Sequence, residues 1–267
     1  MKTNRPLVTI VTPSFNQDQY LEATILSVLN QSYPNIEYII IDGGSADGSL
    51  SIIRKYTNKL AAWKSEKDCG QTDAINKGFA LARGEILAWI NSDDTYQPNA
   101  VAEAVQFLSG NTQVGMVYGD AYYIDADGHI IGKFPAAQTS LVKLRRGYVH
   151  IPQQASFFRK SIWDQVGPLD TDFYFAMDYD LWVRITSQAP IQYVPSVWAN
   201  FRLHADAKTI AADEQCWPEM LKVHYRDGGS VFAPIVLKYQ LRKLLAPLII
   251  LRRQRMLHQQ SDDELES

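Results

Sequence analysis

Residues 7–12 (LVTIVT) form a β-branched apolar run that stops at Pro13, Ser14 and Asn16. Apolar residues then recur at Leu21, Ile25, Val28 and Leu29. A continuous apolar run followed by three-and-four spacing predicts a buried strand leading into an amphipathic helix. The pattern repeats. Residues 36–41 (IEYIII) predict a second strand, ended by Asp42 and the turn-forming GGSADGS, and Leu50, Ile53 and Tyr56 predict a second helix. A third helix is predicted between Thr72, a residue type that caps helix starts, and Gly84, a helix-terminating glycine. Residues 85–90 (EILAWI) predict a third strand, and a fourth helix is expected to open at Pro98 and close at Gly110.

Strand and helix alternating over about the first 115 residues predict an α/β fold, with a mostly parallel sheet covered on both faces. In such sheets ligands bind beyond the carboxyl ends of the strands. Residues 14–16, 42–45 and 91–94 all follow strand ends, so they are expected to converge on one crevice. The second half differs. Residues 116–134 read as two strands around an Asp-Ala-Asp-Gly turn, and residues 151–186 as short helices with an acid-rich loop between aromatics. No internal repeat or low-complexity linker interrupts the chain.

Composition narrows the class. With 46% hydrophobic and 21% charged residues over 267 positions, the chain has the make-up of a folded globular protein. A net charge of −3 gives no global attraction to nucleic acid, so none is expected as a partner. Cys69 and Cys216 lack zinc-like spacing and suit a reducing cytosol. The first residues do not read as a secretory signal, and no run of ~20 uncharged apolar residues occurs. A soluble or peripheral cytoplasmic protein is expected.

The strand at 85–90 runs straight into Asn91, Ser92, Asp93 and Asp94, where unpaired carboxylates are costly. One reading makes an acid the cap of the next helix; the other makes the pair ligands for Mg2+ or Mn2+ with substrate phosphates. Asp42 is either an Asx-turn residue or an acceptor for a nucleobase or ribose. No G-x-G-x-x-G fingerprint or Walker-type loop is present. Gln71, Asp73 and Lys77 fall in the first turns of the third helix, where acids are favourable without any ligand. IDADGHI starts like a calcium loop but lacks the later ligands, so a hairpin turn is expected. Asp178 and Asp180 lie among Phe175, Tyr179 and Trp182, a setting that suits a general base. Asp180 also fits an ion pair with Arg184 one turn on. His204, taken alone, reads as a structural histidine.

Three stretches, TIVTPSFNQDQYLEATILSVLNQSYPNIEYIIIDGGSADGS, GQTDAINKGFALARGEILAWINSDD and FAMDYDLWVR, together resemble family 2 inverting glycosyltransferases with the GT-A fold. The resemblance spans about residues 5–205 and is closest to bacterial enzymes that build O-antigen, capsule or other surface polysaccharides. It implies a GT-A-type Rossmann-like catalytic domain over residues 1–227. About residues 5–115 would be its donor half and about 116–227 its acceptor half, with a basic amphipathic extension at 228–267. Pro13, Ser14 and Asp42 would line the pocket for a nucleotide-sugar donor, a UDP-sugar foremost, and Gln71 and Asp73 would close over it. Asn91 stands where the family's metal motif has its first acid. Asp94 is then the expected ligand for Mn2+ or Mg2+, with His204 approaching it, and Asp93 on the donor ribose or sugar. Asp178 would be the catalytic base, with Met177 where Glu is common. The acceptor would be a glycan or glycolipid, commonly lipid-linked in this family.

Two rival functions follow from the same residues. A nucleotidyltransferase also uses strand-end acids and a metal, but TPSFNQDQ is neither glycine-rich nor basic. A catalytically silent sugar-nucleotide-binding or scaffold subunit is suggested by Asn91 and Met177 and opposed by Asp94 and Asp178. In the extension, Leu237, Leu241, Leu244, Leu248 and Leu251 share one helical stripe, interrupted by Pro247, among six cations. That stripe packs either on protein, within the domain or in a homo-oligomer, or on an anionic membrane surface.

Overall fold

A computed structural model describes residues 5–204, 213–226 and 228–244. The predicted alternation is present in the first half. Strand β1 (Val8–Ser14) leads to helix α1 (Asp18–Leu29), β2 (Ile36–Asp42) to α2 (Ser49–Tyr56), and a short β3 (Ala62–Ser65) to α3 (Gln71–Ala80). Then β4 (Ile86–Trp89) ends at the acidic turn, followed by β5 (Thr95–Tyr96) and α4 (Ala100–Gly110). The pairs β3–β2, β2–β1 and β1–β4 are all parallel.

The second half extends the same sheet. It supplies β6 (Met116–Ile124), β7 (Ile130–Lys133), α5 (Leu141–Arg145), β8 (Ser156–Arg159), α6 (Lys160–Val166), α7 (Met177–Gln188) and β9 (Ile191–Arg202). Two helices close the described chain: α8 (Asp213–Arg226) and α9, residues 234–244. Among the described residues the sheet has nine strands in the order β3-β2-β1-β4-β8-β6-β9-β5, with β7 beside the far half of β6. β8 is antiparallel to both β4 and β6, so it joins the parallel half to the less regular one.

The apolar runs are continuous because both faces of the sheet are covered. Successive side chains point to opposite faces. Ile10, Tyr38, Ile40 and Ala88 therefore join the layer under α1 and α4, whereas Val11, Ile39, Ile41 and Trp89 join the layer under α3 and α7. Helix α3 lies so close to β1 that a Cβ on Gly78 would stand 2.4 Å from Val11 Cγ1.

Several expected boundaries move. Helix α3 starts after Gly70, at φ 105°, rather than at a Thr72 cap; Thr72 is buried inside the first turn, with its hydroxyl turned to other partners. Gly84 lies beyond the helix end. A Cβ there would come within 2.5 Å of the Thr9 nitrogen, so close approach to β1 is what requires glycine. Asn99, not Pro98, precedes α4. Residues 156–159, within a segment expected to be helical, form β8 because they bridge β4 and β6. The IDADGHI segment is a hairpin turn between β6 and β7, as expected. Helix α9 buries Ile235 and Val236 against Leu221 of α8. Pro247, Leu248, Leu251 and the arginines beyond them lie outside the described residues. Among the described residues no helix is long and apolar enough to cross a membrane.

Gly78→Ala is expected to destabilise the fold by about 1–3 kcal/mol, because α3 must lift off β1. Urea unfolding measures this; an unchanged midpoint would mean that the two elements are not in tight contact.

Candidate active site

The carboxyl ends of three parallel strands form one row, with Ser14 opposite Asp42 and Asp42 opposite Ser65. Asp42 is fully buried. Its Oδ2 accepts from the Gly44 and Ser45 amides (3.1 and 3.0 Å) and from Ser65 Oγ (2.6 Å), and Oδ1 accepts from Ser45 Oγ (2.5 Å). Asp42 thus builds the turn that follows it, the Asx geometry, and retains acceptor capacity on Oδ1. Beside it, the Ser14 hydroxyl is buried with no hydrogen-bond partner among the described residues. Such an orphan is rare in folded proteins and marks a place for a ligand group or water. Asn16, at φ 51°, ties this edge to the next loop: its amide donates to Ser45 Oγ and its Oδ1 accepts from Ala46 N.

The turn after β4 is held from two sides. From α1, Thr24 Oγ1 hydrogen-bonds to the carbonyls of Ser92 and Asp94 (2.9 and 2.7 Å). From β9, the Arg202 amide donates to Asp94 Oδ1 (2.9 Å) and the Arg202 Nε donates to the Asp93 carbonyl (2.9 Å). The Arg202 guanidinium also reaches the Asp125 and Ala126 carbonyls and covers the Tyr20 ring at 4.8 Å. Asp94, expected as the metal ligand, is only 1% exposed, and Asn91 Nδ2 donates to its second oxygen at 3.3 Å. Burial, and after it the Asp93 charge, push its carboxyl well above the ordinary carboxylate range.

Asp93 is the accessible acid. Its Oδ2 lies 3.1 Å from His204 Nε2, a residue 111 positions away, and the His204 ring also packs against Tyr20. His204 is therefore at the acidic turn, beside Asp93 rather than Asp94. Asn91 Oδ1 accepts from Gln71 Nε2 (2.6 Å), which brings the start of α3 to the same turn. Asp73 accepts from the Cys69 amide (3.0 Å) and pairs with Lys77 (3.0 Å), and these contacts hold its carboxyl below the usual range. That arrangement is the structural helix-start reading. A further group, Asp125, Asp127 and His129, has ligand atoms within 4.8 Å of one another at the β6–β7 turn. There Asp125 Oδ1 accepts from the Asp127 and His129 amides, an Asx turn that accounts for the clustering.

Helix α7 carries Asp178 in its first turn, where Asp178 Oδ1 accepts from the Tyr179 amide (2.7 Å). Thr72 of α3 bonds to Met177 Sδ (2.8 Å) and the Phe173 carbonyl (3.2 Å), so α3 and the start of α7 are docked together. Asp180 is fully buried and paired with Arg184 and with Arg226 of α8, which fixes it as structural. Two residues had no sequence signal. Glu219 of α8 accepts from the amides of Tyr174, Phe175 and Ala176, the donors just before α7. Ala176 precedes α7 and has no side chain to cap it, which is the one clue that a remote cap was needed. Arg202 acts mainly on backbone carbonyls, and no motif records that.

The model of glycosyl transferase family 2 matches residues 9–179, and the chain belongs to that family. An uncharacterized glycosyltransferase of Mycobacterium tuberculosis is 37% identical over 186 residues, 68% of this chain and 70% of that protein. Among solved structures, Staphylococcus aureus TarS in complex with UDP-GlcNAc superposes with a TM-score of 0.70 at 15% identity, over 90% of this chain and 73% of that one. The mannosyltransferase PcManGT from Pyrobaculum calidifontis, in complex with GDP-Man and Mn2+, gives 0.65 at 19% identity, over 90% and 71%. The fold is the GT-A glycosyltransferase fold.

Glu219→Ala should cost about 0.5–2 kcal/mol in urea unfolding, the range for losing a helix cap, and Glu219→Gln should retain most of it through its amide oxygen. Equal losses in the two variants would mean that the acceptor geometry is not what matters.

Proposed function

We propose that the protein is an inverting, metal-dependent glycosyltransferase. It moves a sugar from a nucleotide-diphosphate donor, a UDP-sugar, to a hydroxyl of a lipid-linked glycan acceptor in surface-polysaccharide synthesis. The observation that carries this reading is the meeting of Asp93 and His204 at 3.1 Å beside the buried strand-end row. A carboxylate and an imidazole side by side at a strand-end turn are ligand types that would hold Mn2+ or Mg2+ together with a donor diphosphate. The ligands in this proposal are Asp93 and His204. Asp94 supports them from below, because its oxygens are engaged and its burial disfavours charge.

When bound there, the cation supplies charge compensation for the departing nucleoside diphosphate. The protein's own groups do the rest. The orphaned Ser14 hydroxyl and the remaining acceptor site of Asp42 hold the nucleoside, Pro13 lines its pocket, and Gln71 with Asn91 closes that side. Asp178 takes the proton of the acceptor hydroxyl as its oxygen attacks the anomeric carbon and the bond to diphosphate breaks. One displacement from the opposite face inverts that centre. The Met177 side chain accepts from Thr72, so the position where a family Glu is common serves here to join α3 and α7.

Turnover of a panel of UDP-, GDP- and dTDP-sugars, with NMR of the product, tests the reading; retained configuration would contradict it. Asp178→Asn should leave donor affinity unchanged while kcat falls by roughly 10²–10⁴. A matching loss of donor affinity would make Asp178 a structural residue.

A further inference from the structure

Neither residues 128–163 nor residues 228–261 contain an Asp or Glu, in a chain whose net charge is −3. The fold brings parts of these two acid-free stretches together. Ile235 of α9 sits against Gly147, where a Cβ would come within 2.8 Å of its side chain. Lys238 Nζ stands 4.1 Å from the Tyr148 ring, and the two ring nitrogens of His224 of α8 lie 2.7 and 3.0 Å from the Arg145 and Ser230 carbonyl oxygens. Helices α5 and α9 thus form one unit. Its exposed cations come from both: Lys143 and Arg146 from the α5 side, Lys238 and Lys243 from α9.

The same unit exposes apolar side chains that no described residue covers. Phe232 is 93% exposed, Leu244 76% and Leu237 61%, and Val142 of α5 is exposed as well. Leu237, Leu241 and Leu244 lie on one stripe of α9, opposite the Ile235 and Val236 side that packs on α8. Apolar side chains set among cations, with no acid in either segment, match a surface that is greasy inside and anionic outside. A second copy of this chain is a poorer match, because a two-fold contact would set these cations against their own equivalents.

We propose that α5 and α9 form a docking face for an anionic phospholipid bilayer. Phe232 and the leucine stripe enter the headgroup boundary, and Lys143, Arg146 and Lys238 pair with lipid phosphates. This is independent of the chemistry at the Asp93–His204 turn. What it adds to the sequence is the α5 half of the face, some ninety residues before the basic tail.

The test is sedimentation of the full chain with vesicles of phosphatidylcholine, with and without phosphatidylglycerol. The protein should pellet only with the anionic vesicles and be released as salt rises. Each cation at such a surface is worth about five-fold in binding, so Lys143→Glu with Arg146→Glu should weaken partitioning by at least about 25-fold, with unchanged melting temperature and donor turnover. Phe232→Ser, which keeps every charge, should weaken binding and make the remainder fully salt-reversible. Equal binding to both vesicle types would overturn the proposal, as would charge reversal on α5 without effect. So would a salt-resistant dimer that Phe232→Ser dissociates and that binds no vesicles. If vesicle binding fails while donor turnover stands, only this proposal falls.

Discussion

The site depends on how a buried strand ends in two adjacent carboxylates. Consecutive acids at the end of β4 repel one another, and one must be relieved of its charge or given partners. The fold does this by sinking Asp94 and satisfying it from the Arg202 amide and from Asn91. The same Arg202 then reaches the Asp93 carbonyl and the β6–β7 hairpin. Because β9 is anchored there, the chain two residues later delivers His204 to Asp93. A loss of the Asp94 contacts would therefore loosen the placement of His204 beside Asp93.

A second constraint joins the donor side to the residue read as the base. Helix α3 lies against β1 through Gly78, and its first turn reaches both Asn91 through Gln71 and Met177 through Thr72. The start of α7 is held in addition by Glu219 and, through Asp180, by Arg226, both on α8. Asp178 is thus carried on a helix start fixed from two directions. Positioning of this kind is what a displacement needs, since small misplacements of a reacting group cost large factors in rate.

Much of this was legible in the sequence. The parallel half could be read because each strand is buried on both faces, so its run is uninterrupted, and each turn carries glycine or small polar residues. Strand-end convergence followed from topology alone. The second half was harder because β8 and β9 owe their form to neighbours: SFFR becomes a strand by bridging β4 and β6, not by local pattern. Asp93 and Asp94 are alike in a linear pattern, and only burial tells them apart in space. Glu219 and Arg202 make the same point. Each acts on backbone groups, and backbone partners leave no mark in a one-dimensional pattern.

In the proposed function Asp93 holds a metal and its neighbour Asp94 holds the fold. Electron paramagnetic resonance of Mn2+ titrated into the protein with UDP, for the parent, Asp93→Asn and Asp94→Asn, with melting temperatures beside it, separates the roles. The account predicts that Asp93→Asn melts like the parent and loses UDP-dependent Mn2+ binding, whereas Asp94→Asn melts lower. An Asp94→Asn protein that melts normally and fails to bind Mn2+, beside an Asp93→Asn protein that binds it as the parent does, would contradict it.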